Sequence, residues 1–123
     1  MRRILVVDSE EADRARVAEL FRSMGCSVEE YLEAQSAYSA YTVLHPDIVI
    51  ADERLGKQST SAMFQQMRAY ATTKNFNPSL VLMTDGDAER QGPWDTSYKK
   101  PVTPDIAKQI LDRYSGIEKG VTA

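Results

Sequence analysis

A chain of 123 residues, 42% hydrophobic and 27% charged, has the composition of an ordinary globular domain, which excludes wholesale disorder and leaves little room for a second domain. The 15 basic and 18 acidic residues give a net charge of −3, which argues against a nucleic-acid surface as the main business of the chain. Cys26 is the single cysteine and His45 the single histidine, so an intramolecular disulfide and a Cys/His metal site are both excluded, and a reducing, cytoplasmic location is expected.

The apolar run Ile4–Val7 is far too short for a membrane span or signal core, and Asp8 ends it. It reads as a strand covered on both faces. Ser9 to Met24 carries Val17, Leu20, Phe21 and Met24 at helical spacing, with Ser9 as the predicted cap and Gly25 as the stop. Cys26–Tyr31 is a weaker strand candidate, in which Cys26 serves as a small buried hydrophobe. Glu33 to Leu44 predicts a helix with Ala34, Ala37, Tyr38, Tyr41 and Leu44 inward, ended by His45-Pro46. Ile48–Ala51 and Leu80–Met83 are two more buried strands, with a helix over Ser59 to Ala71 aligning Met63, Phe64, Met67 and Tyr70. Ser97–Lys100 is the faintest strand by composition. Thr103-Pro104 opens a last helix, with Ile106, Ile110 and Tyr114 inward. There is no repeat or linker, so we expect one domain over 1–123, with its core at about 3–114 and a short polar tail at 115–123.

Strand–helix alternation of this kind predicts an α/β fold with a doubly wound parallel sheet, and chemistry beyond the carboxyl ends of its strands. The residues following the apolar runs are Asp8-Ser9-Glu10, Asp52-Glu53, Thr84-Asp85 and Lys99-Lys100. Two carboxylates, a hydroxyl and an ammonium at one rim form a coherent set. A hard cation such as Mg²⁺ takes one or two carboxylates and keeps water. An aspartate can act as a phosphoryl nucleophile, and the transferring group needs positive charge and donors on its oxygens.

These stretches, with Ile4-Leu5-Val6-Val7-Asp8, Pro46 to Asp52, Leu82-Met83-Thr84 and Lys100-Pro101 as the most specific, resemble the receiver domain of two-component response regulators, the CheY-like domains. The resemblance runs from Arg3 to Tyr114. It implies a flavodoxin-like, five-stranded, three-layer fold. It also implies Asp52 as phosphoacceptor, Thr84 as the switch hydroxyl, and Lys100 as the site lysine, joined to Pro101 by a cis peptide. Asp8, Asp52 and the Arg54 carbonyl would hold Mg²⁺ or Mn²⁺, with Glu10 as a further candidate ligand. The first helix and the rim around Pro101 would dock on a histidine kinase or a histidine phosphotransfer protein, with Ala12, Ala15, Arg16 and Val102 as the contact residues.

The chain also departs from that pattern. Ser9 stands where the family has a second acidic residue, so weakened metal binding is expected. Asp85 follows Thr84 in place of a small residue. Gly56 replaces a proline four residues after Asp52, which predicts a more mobile loop. Only 15 residues separate Thr84 from Lys100, and Gly86 and Gly92-Pro93 interrupt them, so the fourth helix is expected to be one turn in Asp87–Gln91 or absent. Ser97 occupies the position of the family's switch aromatic. Tyr98 comes one residue later and would face the other side of the sheet. Trp94 is expected to fill the space left by the short helix.

The expected function is phosphorylation-dependent signalling: phosphoryl transfer onto Asp52, with output through contact with an unidentified downstream protein rather than with nucleic acid or a membrane. No turnover enzyme is expected beyond Mg-dependent phosphorylation and dephosphorylation of the chain itself. The alternative is a pseudo-receiver, an interaction module that keeps the fold without phosphorylation. A phosphatase of the haloacid-dehalogenase type is disfavoured, because Arg54 stands where that chemistry pairs a second aspartate. No P-loop or Gly-x-Gly-x-x-Gly run suggests a nucleotide.

Overall fold

The three runs of consecutive apolar residues become the centre of a sheet. The computed structural model describes residues 2–86 and 91–122, with 115–122 described by backbone alone. Strands β1 (Arg3–Val7), β3 (Ile48–Asp52) and β6 (Ser79–Thr84) are flanked by β2 (Ser27–Tyr31) and β7 (Thr96–Lys99), in the order β2-β1-β3-β6-β7. All four pairings are parallel. Strand order reverses beside β1, where consecutive connections leave toward opposite faces, and this opens a crevice at the carboxyl ends of β1 and β3.

Helices α1 (Glu11–Ser23) and α4 (Pro104–Thr122) cover one face of the sheet, and α2 (Ala34–Leu44) and α3 (Thr60–Lys74) cover the other. Alternate residues of each strand feed the two cores. Ile4, Val6, Ile48, Ile50, Val81 and Met83 meet Val17, Phe21, Ala107 and Ile110. Leu5, Val7, Val49, Ala51, Leu80 and Leu82 meet Ala37, Tyr41, Phe64 and Met67. The backbone of α4 stays helical to Thr122, over the segment read from sequence as a polar tail.

Several local expectations change. Ser9 does not cap α1. The N-cap is Glu10, and the Asp8 carboxylate accepts the Glu10 amide (2.9 Å) in the turn where a capping hydroxyl was expected to act. Met24 is the C-cap and is 38% exposed rather than inward, because the chain turns out at Gly25 (φ +89°). Ser59 accepts from the Ala62 amide and Thr103 from Ile106, so the other two polar starts do cap their helices. From sequence the segment around Gly56 reads as a loop. It forms a hairpin of β4 (Arg54–Leu55) and β5 (Gln58–Ser59), with Gly56 at φ +64° in the first central turn position, where that hairpin type favours glycine. Gln58 Oε1 then accepts the Ala34 amide at 2.7 Å and ties this hairpin to the start of α2.

The fourth-helix expectation over Asp87–Gln91 falls mainly on residues 87–90, outside the described residues. Among the described residues, the connection from β6 to β7 contains no helix. It is held from α3 instead: Arg68 donates to the Pro93 carbonyl (2.9 Å) and pairs with Asp95 (3.3 Å). Asp95 in turn accepts the Leu80 amide (2.7 Å) and donates its own amide to the Leu80 carbonyl (2.8 Å), which sets the start of β7 against β6. Trp94 packs edge-on to Phe64 (centroids 6.5 Å apart), in the core-filling role expected of it. Its ring lies over Gly92, where a Cβ would come within 2.3 Å of it.

Candidate functional site

Four sequence candidates converge at the carboxyl rim because each one follows a strand of the sheet. Asp8 follows β1, Asp52 ends β3, Thr84 ends β6 and Lys100 follows β7. The register Thr84↔Lys99, with the Lys100 amide donating to the Thr84 carbonyl (2.8 Å), places the hydroxyl and the lysine on adjacent strands. Asp8, Asp52 and Thr84 are all buried polar residues, at 6%, 6% and 1% exposure. A cavity of ≈ 230 Å³ opens over Asp8 and Asp52, walled also by Asp13, Arg16, Asp85 and Lys100 above an apolar floor of Val6, Ile50 and Met83; Thr84 does not line it.

Asp52 is tightly placed. Its Oδ2 accepts the Arg54 amide (3.0 Å), and its carbonyl accepts the Thr60 hydroxyl (2.6 Å), which anchors the end of β3 to the start of α3. Its Oδ1 is buried and forms an ion pair with the Lys100 ammonium. Lys100 also faces Asp85 at 3.6 Å. Burial works against the charged ammonium, but the contact with Asp52 and the charges of Asp85 and Asp8 outweigh it, and the Lys100 pKa is raised. Asp8 is held above the usual carboxylate range, first by burial and then by the Asp52 charge. The Glu10 amide and Lys100 act in the opposite direction. Asp8 is also fixed through its backbone, since its carbonyl accepts Arg14 Nη1 (2.9 Å).

The remaining expectations are met unevenly. The Lys100-Pro101 peptide is cis. Ala12, Ala15 and Arg16 are exposed on α1. Val102 is not at the surface: at 1% exposure its side chain sits in the α1–α4 core, and only its carbonyl is used, as acceptor for Arg16 (2.8 Å). Glu10 is exposed and does not line the cavity, and the bond it makes to Asp8 is through its amide. Tyr98 packs into the α1–α4 core, as its one-residue offset from Ser97 required. Glu53 is the residue that sequence reading passed over. Its carboxylate accepts the Thr84 hydroxyl, and the consecutive acids Asp52-Glu53 at a strand end were the available signal.

No family model matches the sequence, and no curated protein matches it. Solved structures do. The receiver domain (CheY-like) from Methylobacillus flagellatus superposes with a TM-score of 0.83 at 19% identity, over 93% of this chain and 98% of that one. That from Methanospirillum hungatei gives 0.84 at 17% identity, over 98% of each.

The fold is that of a CheY-like receiver domain.

A third receiver domain, that of the Saccharomyces cerevisiae response regulator Ssk1 in co-crystal with the histidine phosphotransfer protein Ypd1, matches with a TM-score of 0.85 at 13% identity, over 95% of this chain and 90% of that one. The receiver fold puts the described rim where open α/β sheets place their sites. No described helix is long and apolar enough to cross a membrane. Among the described residues, no group of three or more His, Cys, Asp or Glu side chains is arranged to hold a metal. Four carboxylates, those of Asp8, Asp13, Asp52 and Asp85, belong to residues lining the rim cavity.

Proposed function

We propose that the chain is a signalling receiver that accepts a phosphoryl group on Asp52. The observation that carries this reading is the buried Asp52 carboxylate paired with Lys100, at the same rim as Asp8 and the Thr84 hydroxyl. Asp52 would attack the phosphorus of a phosphohistidine donor and form an acyl phosphate, while the histidine leaves and takes up a proton. Lys100 lies where it can hold one phosphoryl oxygen by charge. Thr84 offers a hydroxyl donor to another. Asp8, Asp52 and the Arg54 carbonyl would hold Mg²⁺ or Mn²⁺, which supplies positive charge to the phosphoryl oxygens when bound. The two buried carboxylates of Asp8 and Asp52, each acting on the other's charge, fit that role. With Ser9, an exposed hydroxyl residue, standing where the family has its second acid, affinity for the cation is expected to be modest.

The donor would be a histidine kinase or a histidine phosphotransfer protein, a partner type seen with the Ssk1 receiver domain. Exposed Ala12, Ala15 and Arg16 on α1 are the contact residues we assign to it. Output would pass through contact with a further protein. Incubation with radiolabelled acetyl phosphate and Mg²⁺ tests the acceptor chemistry. Acid-labile label is expected on the wild type and not on Asp52→Ala, and equal labelling of both would sink the assignment.

A second reading is an interaction module that is not phosphorylated. It is favoured by Asp85, whose carboxylate stands 3.6 Å from Lys100 at the mouth of the site and would repel an anionic donor. Recovery of labelling in Asp85→Ala, where the wild type shows none, would support that reading.

A further inference from the structure

A threonine hydroxyl has one proton to donate, and here Thr84 donates it to the Glu53 carboxylate. The same oxygen accepts the Gly86 amide at 3.0 Å, so the hydroxyl is engaged both as donor and as acceptor. The backbone of Glu53 is itself fixed, because its amide donates to the Met83 carbonyl (2.9 Å), one residue before Thr84. A group on Asp52 that requires the Thr84 proton must therefore take it from an ionised acceptor, the stronger kind of hydrogen-bond partner.

We propose that Glu53 is a positioning residue that withholds the Thr84 hydroxyl from Asp52 and so sets how readily the site responds to a phosphoryl group. The proposal rests on the reading of Asp52 as acceptor. Glu53 acts through Thr84, so it differs from a plain repulsive charge in one respect: its effect requires the hydroxyl. Lys100 is not subject to the same control, since it already pairs with Asp52.

The test is a titration of beryllofluoride with Mg²⁺, followed by backbone NMR shifts around Asp52. It compares wild type, Glu53→Ala, Thr84→Ala and the double variant, with Glu53→Gln run alongside as an isosteric control for folding. Releasing a partly exposed, charge-assisted hydrogen bond is expected to tighten binding about tenfold in Glu53→Ala. A smaller gain is expected in Glu53→Gln, whose amide oxygen still accepts. In the Thr84→Ala background the gain from Glu53→Ala should shrink to the effect of the charge alone. An equal gain with and without the hydroxyl overturns the withholding role and leaves the acceptor reading intact. Absence of Asp52-dependent binding in every protein overturns the acceptor reading and this inference with it.

Discussion

At the scale of single residues, Asp8 carries an electrostatic conflict: its carboxylate accepts the Glu10 amide while lying buried near the Asp52 charge. It is a carboxylate that burial and the Asp52 charge disfavour in its ionised form, so a cation at the rim would relieve it. Millimolar Mg²⁺ is therefore expected to raise the melting temperature of the wild type by binding the folded state alone. It should leave that of Asp8→Asn nearly unchanged, as read by differential scanning calorimetry. Tyr41 makes a second prediction. Its hydroxyl donates to the Met67 carbonyl (2.7 Å) in a fully buried position, and burial pushes its pKa well above the ordinary 10.0. The buried Cys26 thiol is likewise raised from 9.0 by burial. In both cases the unfolded chain loses its proton first as pH rises, so stability is retained below pH 9 and falls through the alkaline range. Tyr41→Phe is expected to cost about 1 kcal/mol at neutral pH through the lost hydrogen bond, and to flatten the alkaline decline in urea-unfolding curves measured from pH 8 to 11.

At the scale of elements, legibility followed burial. The runs Ile4–Val7, Ile48–Ala51 and Leu80–Met83 stood out because β1, β3 and β6 are the three inner strands, buried on both faces. Cys26–Tyr31 and Ser97–Lys100 were faint for the complementary reason. They form β2 and β7, the two edges of the sheet, where polar residues are tolerated. The β4–β5 hairpin left no pattern to find, since two residues a side show no periodicity and only Gly56 marked the turn. The start of α1 misled because the Asp8 carboxylate, just after β1, fixes the turn expected of Ser9. The latch from α3 to the β6–β7 connection was also hidden, because Arg68 and Asp95 are 27 positions apart in sequence. Asp95→Ala leaves the buried Leu80 amide without its side-chain acceptor. A loss of about 1–3 kcal/mol is expected in urea denaturation, with faster hydrogen exchange at Leu80. Unchanged stability would mean that the connection is held elsewhere.

At the scale of the whole molecule, the sheet divides two cores and gathers its chemistry at one rim. Asp8, Asp52, Thr84 and Lys100 were legible as candidates because each ends or directly follows a strand, three of them buried strands, so their order in sequence fixes their place in space. Glu53 was not legible in its role, since nothing in the sequence says that a second acid after the strand turns toward the next strand's hydroxyl. Of the four contact residues expected from sequence, one is buried. Val102 belongs to the core, so variants at the exposed Ala12, Ala15 and Arg16 are the ones expected to slow phosphotransfer from a histidine donor without loss of folding. The central claim is that Asp52 accepts the phosphoryl group. Its most direct test is peptide mass spectrometry after treatment with acetyl phosphate and Mg²⁺. The account predicts one acid-labile phosphoryl group, on the peptide carrying Asp52, that disappears in Asp52→Ala. An unmodified Asp52 peptide, or a phosphoryl group that persists in Asp52→Ala, would contradict it.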